Sequence, residues 1–388
     1  MSSAARPNVS SNTAVATDVT ESNPEFEFLR ACTSPSQPRA IAGLAPLDWK
    51  RVLELARHHG VIPQLSEAVE HFQTAIPHAI VERVRVENRK NTQQALWFTR
   101  EMFRILEQLK SRNVDAIPYK GPVLAELLYG SITARQYNDI DILIRPRDVH
   151  AAVAVLHQLG YKPAIELTPQ QQRAYLRSGY EHTFDGEQGR NLVELQWNIL
   201  PRFYSVDLKT DELFTRSRTT TFGAQEIRSL CPEDLMLVLC LHAAKHGWVQ
   251  LSWLADIAVL AQRPIDWNEI NQRCEALGVR RIVGLTLALC HRLWKTEPGR
   301  FQADRQSAAL LNEQLEMLAA GKEFESESMR YFRRMLQARE RRSDQVRFIW
   351  RLATTPSLGE WSSFRLPLPF SPLYRAVRVF RLARRLFG

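Results

Sequence analysis

The sequence predicts a strand-and-helix unit, α+β or α/β, at residues 113–229, flanked on both sides by helical regions. Three observations carry this. DIDILI at 139–144 alternates acids and aliphatics with a period of two, the mark of a strand. The stretches before residue 112 and after Cys231 space their apolar residues at helical intervals instead. Between them proline and glycine punctuate short runs such as VDAIPYKG and HAAVAVLHQLGY, which read as strand, turn and helix in succession.

Taken in order, residues 1–25 are rich in Ser, Thr, Asn and Ala and read as a disordered tail. Residues 26–112 form a helical N-terminal region. Val52, Leu55, Ala56 and His59 fall on one helical stripe that Gly60 and Pro63 stop, and Ala95, Phe98, Met102, Ile105 and Leu109 mark a longer helix over about 86–111. In the central unit PVLAELLYG is a short helix opened by Pro122 and closed by Gly130, and HAAVAVLHQLGY is a helix closed by Gly160. YEHTFDGEQGRNLVELQWNI reads as a hairpin with DGEQGR as its loop. Residues 230–343 form a helical C-terminal domain. There PEDLMLVLCLHAAKHG has Pro232 at its start and Gly247 past its end, and Ser252 is set to cap the next helix, WLADIAVLAQ. Residues 344–388 are a Pro/Ser-containing linker and a basic amphipathic tail.

The 388 residues leave room for two to three domains, and the ordinary balance of 45% hydrophobic and 24% charged residues excludes a disordered chain or a fibre. Cys32, Cys231, Cys240, Cys274 and Cys290 show no metal-binding spacing and read as reduced, mostly buried thiols. No apolar run is long enough to span a membrane, and the N-terminus has no signal-peptide core, so a cytoplasmic protein is expected. The net charge of +9 is concentrated: residues 345–388 hold eight arginines and one acid, leaving only +2 for the other 344 residues. A nucleic-acid binder would spread its charge over a folded face.

Candidate chemistry begins at Asp139 and Asp141. Strand alternation puts both on one face, where two carboxylates can hold one divalent cation together with substrate phosphates; a solvated strand face is the alternative. Lys120-Gly121 precedes a helix whose N-terminal amides suit a phosphate. On the strand NLVELQW, Leu192, Glu194 and Gln196 share a face, and a third carboxylate beside the pair is what metal-assisted phosphoryl chemistry needs. His242, Lys245 and His246 lie on the stripe of their helix and either line a cleft or answer the helix dipole. A zinc-protease reading of His242 and His246 fails because Ala243 stands where the general base would be. Arg135 is either a phosphate or acid contact or a loop arginine. Asp256 can pair with Lys245 or His246, or simply sit in a favourable first turn.

With these residues in view, the run YKGPVLAELLYGSITARQYNDIDILIRPRDVHAAVAVLHQLGY resembles the core of the DNA polymerase β-type nucleotidyltransferase superfamily. More narrowly, the chain resembles a bacterial "nucleotidyltransferase family protein" group associated with surface-polysaccharide gene clusters. The residues that carry this are Lys120-Gly121, Tyr129-Gly130, Arg135, Asp139-Ile140-Asp141, Gly160-Tyr161, Glu194-Leu195-Gln196-Trp197, the run HAAKHGW at 242–248 and Trp253-Leu254-Ala255-Asp256-Ile257. The likeness covers about 45–262, and Gln196 stands where histidine is common in the group. It implies an α+β fold: a small mixed β-sheet core with Asp139, Asp141 and Glu194 clustered as catalytic metal ligands for Mg²⁺ or Mn²⁺. It also implies a nucleoside triphosphate, ATP among them, bound near Lys120, Gly121, Arg135, His242, Lys245 and His246. The reaction implied is transfer of a nucleoside monophosphate to an acceptor, whether a small molecule, glycan, protein or RNA.

The tail, residues 372–388, interleaves arginines with Val377, Phe380, Leu382, Leu386 and Phe387 and suits an anionic membrane surface, the protein body or RNA. The competing expectation is therefore a non-catalytic nucleotide-binding or scaffold protein held at a membrane by this tail.

Overall fold

The computed structural model describes residues 23–35, 46–186, 192–297, 301, 305–322, 328–356, 360–361 and 373–387. Residues 1–22 of the tail expected at 1–25, residues 187–191 around the expected hairpin loop and most of the linker lie outside the described residues; Pro24 and Glu25, assigned to the tail, are instead helical.

Helices α1 (Pro24–Cys32), α2 (Trp49–His58) and α3 (Ile62–His71) open the chain. Asn23 caps α1 and Asp48 caps α2, each side chain accepting from amides of the first turn. Pro63, expected to help stop α2, instead lies in the first turn of α3, where its missing N–H costs nothing. Helix α4 (His78–Ser111) starts earlier than its apolar stripe suggests and is 34 residues long, about 50 Å. Its first half packs Val81 and Val84 with α3, and its second half packs Ala95, Phe98, Met102, Ile105 and Leu109 against the sheet.

The sheet is small and mixed, as the resemblance implies. Strands β1 (Ala116–Pro118), β2 (Asp139–Ile144), β3 (Lys162–Pro163), β4 (Glu181–Asp185) and β5 (Leu192–Gln196) lie in the order β1-β2-β5-β4-β3. β2 and β5 run parallel, and the other pairs are antiparallel. Helix α5 (Gly121–Tyr129) connects toward β2 and ends on Gly130 in the left-handed region; α6 (Val149–Gln158) follows β2, and α7 (Pro169–Ser178) precedes β4. Ile140, Ile142, Ile144, Val193 and Leu195 make the buried face, in one core with α4 and α6. The opposite face carries Asp139, Asp141, Glu194 and Gln196, as alternation requires. After α8 (Thr210–Arg216) comes a separate hairpin of β6 (Arg218–Phe222) and β7 (Gln225–Ser229), which sequence patterning does not reveal because its strands are polar and largely exposed.

Helix α9 (Pro232–Lys245) is buried on every side from Leu235 to Leu241, the pattern of a central helix. Around it lie α10 (Leu251–Leu260), α11 (Trp267–Leu277), α12 (Arg280–Trp294) and α13 (Arg305–Ala320). Ser252 does not cap α10 as expected: Gln250 is at the cap, and Ser252 sits inside the first turn, where its amide donates to the His59 carbonyl at 3.2 Å. Trp197 and Trp248 are buried, and the Trp248 indole donates to Thr286 at 2.8 Å. Among the described residues all five cysteines are free, and no helix is long and apolar enough to cross a membrane. Helices α14 (Met329–Gln337), α15 (Arg342–Thr354) and α16 (Leu373–Phe387) close the chain.

The N-terminal helices share one apolar core with these C-terminal helices. Asn23 donates to the Ala319 carbonyl at 2.6 Å and Arg51 to the Ala320 carbonyl at 2.7 Å. His59 is fully buried in this seam, with Nε2 3.1 Å from the Leu318 carbonyl oxygen. Burial, then the neighbouring His58, pushes its imidazole down to about 3. The folded state therefore binds fewer protons than the unfolded state between about pH 6.5 and 3, so this contribution is complete above 6.5 and is lost as pH falls. At pH 5 the loss is about 2 kcal/mol. Denaturant titrations of wild type and His59→Leu at pH 7.5 and 5 check this: the wild type should lose about 2 kcal/mol more than the variant over that interval.

Candidate active site

The site grows from the parallel pairing of β2 with β5. That register sets Asp141 directly opposite Glu194, and Asp139 lies two residues back on the same face. Ligand oxygens of the three carboxylates lie within 4.8 Å of one another, and this is the metal-capable cluster among the described residues. Asp141 is 1% exposed. Its Oδ1 accepts from Lys120 Nζ at 2.6 Å and from Gln196 Nε2 at 3.2 Å, while its buried Oδ2 has no partner.

Burial, then the Asp141 charge, raises Asp139 to about 6 and Glu194 to about 8. Burial alone would lower the Lys120 ammonium, but Asp141 and its neighbours outweigh this and raise it. The lysine is thus the resident counter-charge of an acidic cluster that is unfavourable by itself. A hard oxygen donor set with an orphaned buried oxygen fits a divalent cation such as Mg²⁺ or Mn²⁺.

Lys120 stands at the N-cap of α5, and Gly121 follows it at φ +54°. A Cβ on Gly121 would lie 3.1 Å from the Asp139 carbonyl oxygen, so this turn is pressed against the acidic strand and only glycine suits it. Gly121→Ala should cost about 1–2 kcal/mol through the left-handed backbone and displace the turn from β2. Chemical denaturation, paired with triphosphate titration, measures both; unchanged stability and binding would remove the turn from the site.

The facing wall comes from α9 and α10. His242, Lys245, His246 and Trp253 line a cleft of about 340 Å³ together with Lys120, Arg135, Asp139, Tyr180, Glu181 and Glu194. The His242 and His246 rings lie 5.1 and 5.3 Å from the Trp253 ring. Burial, then the nearby lysines, pushes His246 down to about 3 and His242 well below its ordinary value, so both are neutral at physiological pH. Lys245 Nζ donates to the Tyr180 hydroxyl at 2.9 Å, and Tyr180 in turn donates to Glu181.

The structure brings every sequence-derived candidate to this cleft or its edge. Arg135 is buried, its Nε 2.7 Å from Asp256 Oδ2, and the Tyr129 hydroxyl donates to Asp256 Oδ1 at 2.8 Å. Neither sequence alternative for Asp256 holds: it lies mid-helix rather than in the first turn of α10, and its partners are Arg135 and Tyr129 rather than Lys245 or His246, because α10 packs that residue toward α5. Sequence reasoning missed Tyr119, Tyr180, Glu181 and the hub role of Gln196. Gln196 Nε2 also donates to Glu194 at 2.9 Å, and its Oε1 accepts from Tyr119. The available signal was hairpin register, which sets Glu181 opposite Gln196 and Thr183 opposite Glu194 on the acidic face.

The model of a family described as "uncharacterised nucleotidyltransferase" matches residues 45–295. No curated protein matches the chain. Among solved structures, the chain is similar to lincomycin-bound lincosamide antibiotic adenylyltransferase LnuA at 17% identity, covering 42% of this chain and 96% of that one with a TM-score of 0.30. It is similar to ANT(2")-Ia in complex with adenylyl-2"-tobramycin at 18% identity, covering 51% and 96% with a TM-score of 0.29. It is also similar to an antigenic nucleotidyltransferase-like protein from Paracoccidioides brasiliensis at 15% identity, covering 53% and 92% with a TM-score of 0.26.

Proposed function

This chain belongs to the uncharacterised nucleotidyltransferase family, and from that premise we propose that it transfers a nucleoside monophosphate from a nucleoside triphosphate to an acceptor hydroxyl, using Mg²⁺ or Mn²⁺ at Asp139, Asp141 and Glu194. The observation that carries this reading is the carboxylate triad: Asp139 and Glu194 line a cleft together with Lys120 and Lys245, and Asp141 lies buried beside them with one oxygen unpartnered. A cation bound there would neutralise phosphate charge and hold the reacting groups in line.

The chain's own residues do the rest. Glu194, ionised once a cation at the triad offsets the burial and the Asp141 charge that hold it protonated, takes the proton from the acceptor hydroxyl. The acceptor oxygen forms a bond to the α-phosphorus, and the bond from that phosphorus to the bridging oxygen breaks, so pyrophosphate leaves with the electron pair. Lys120, beside the turn at Gly121, and Lys245 supply positive charge to the phosphates. His242 and His246 are neutral and offer ring nitrogens rather than charge. Arg135 holds the approach to β2 in place through Asp256. The family resemblance places the reaction in surface-polysaccharide metabolism without naming the acceptor hydroxyl, and the reaction belongs in the cytoplasm, where triphosphates and reduced thiols coexist.

Calorimetric titration with each of the four ribonucleoside triphosphates in Mg²⁺ or Mn²⁺ tests the reading. One triphosphate should bind in a metal-dependent way. A folded protein that binds none of them with either metal would sink it.

A further inference from the structure

We propose that α14, α15 and α16 together form a docking surface for an anionic phospholipid bilayer. This goes beyond the nucleotidyl-transfer reading and does not rest on it.

Helix α15 has two apolar faces. It buries Phe348, while Val346, Ile349 and Trp350, at i, i+3 and i+4, are 68%, 53% and 68% exposed. Helix α16 is similarly divided. Tyr374 and Arg378 are buried, the latter beside Glu360, while Leu373, Val379 and Phe380 are 49%, 50% and 69% exposed. The two helices pack side by side, and an apolar groove of about 860 Å³ opens between them and α14, with Met329, Ile349 and Val379 on its lining. Of the nine exposed large hydrophobics among the described residues, seven lie on these three helices, and Met329, Ile349 and Val379 share the groove, so the exposed apolar surface is concentrated on this part of the chain.

Charge selects the occupant. Residues 329–388 contain fourteen arginines, no lysine and three acids, a net +11 in a chain whose total is +9. Arg333, Arg342, Arg375 and Arg384 are exposed and make no ion pair among the described residues. A second copy would bring the same positive charge against itself. Nucleic acid would leave Val346, Ile349, Leu373 and Val379 without a function. Aliphatic and aromatic side chains interleaved with arginine, on helices lying flat beside one another, match an anionic lipid interface. The sequence alone offers this contact only for residues 372–388, with the protein body and RNA as its alternatives. Because the tail docks through Tyr374 and Arg378, its free face and that of α15 act as one surface.

Co-sedimentation of the full chain tests this with phosphatidylcholine vesicles and with vesicles containing about 30% phosphatidylglycerol at low salt. The protein should partition onto the anionic vesicles. Arg333→Gln/Arg375→Gln/Arg384→Gln should weaken partition by about a hundredfold, at about fivefold per arginine. Trp350→Ser/Phe380→Ser should weaken it by about tenfold or more, since these rings enter the interface. Brominated lipid should quench wild-type fluorescence more than that of Trp350→Phe. All these positions are exposed, so melting temperatures should match wild type. Absence of anionic-vesicle binding, or binding indifferent to the apolar pair, would overturn the proposal. So would a lipid-free doubling of mass with concentration that the apolar pair abolishes, since it would assign the patch to a second copy.

Discussion

Asp141→Asn should lower nucleotidyl transfer by about three orders of magnitude or more, on the several kcal/mol that a catalytic cation contributes. Asp141 is the centre of the triad, opposite Glu194 on the neighbouring strand and two residues from Asp139. The substitution removes one negative charge and replaces the unpartnered Oδ2 with an amide nitrogen, which repels a cation. The remaining amide oxygen can still accept from Lys120, so the fold should survive. The discriminating measurement is thermal melting with and without Mg²⁺. Wild type should gain about 2.7 kcal/mol at a hundred times its dissociation constant, and the variant should gain little. Full Mg²⁺ stabilisation of the variant would move the cation elsewhere.

Lys120→Met should have the largest effect on stability, about 3–5 kcal/mol in the absence of a divalent cation, the usual cost of removing one partner of a buried ion pair. Lys120 is 7% exposed and donates to Asp141 at 2.6 Å. Without it, three clustered carboxylates face one another with no internal counter-charge. Asp139 and Glu194 are already raised to about 6 and 8, and removing the lysine raises them further. Acids raised in the folded state lose stability as pH increases, so the deficit should grow from pH 6 to 9 and shrink when Mg²⁺ or Mn²⁺ is added. Denaturant titrations across that range, with and without cation, check the sign. A variant as stable as wild type in the absence of cation would remove Lys120 as the counter-charge.

Local signals made much of the fold legible. The two-residue alternation of DIDILI, Pro122 and Gly130 around α5, and Pro232 at the start of α9 each act within a few residues, and each matches its element. Pro63 and Ser252 show the limit of the same logic, since a residue that suits one helix boundary also suits its neighbour, and packing decides. The candidate site was less legible from spacing. Asp139 and Asp141 belong together by alternation, but Glu194 joins them only through strand order, which the family resemblance supplied. Gln196 looked like a departure from that pattern, yet it bridges Asp141 and Glu194. Glu181 enters by hairpin register, and the Arg135–Asp256 pair by helix packing across 121 residues. Such pairings leave no mark on local periodicity.

The seam that joins Asn23, Arg51 and His59 to residues 318–320 also constrains how the protein is made. His59 leaves the ribosome 259 residues before its partner Leu318. At about 5–20 residues per second, the N-terminal helices wait on the order of tens of seconds for the surface that covers them. During that interval Phe26, Phe28, Val52 and Leu55 have no C-terminal core to enter. Vectorial synthesis therefore leaves an early apolar segment in need of protection, and a chain that stops before α13 releases it permanently.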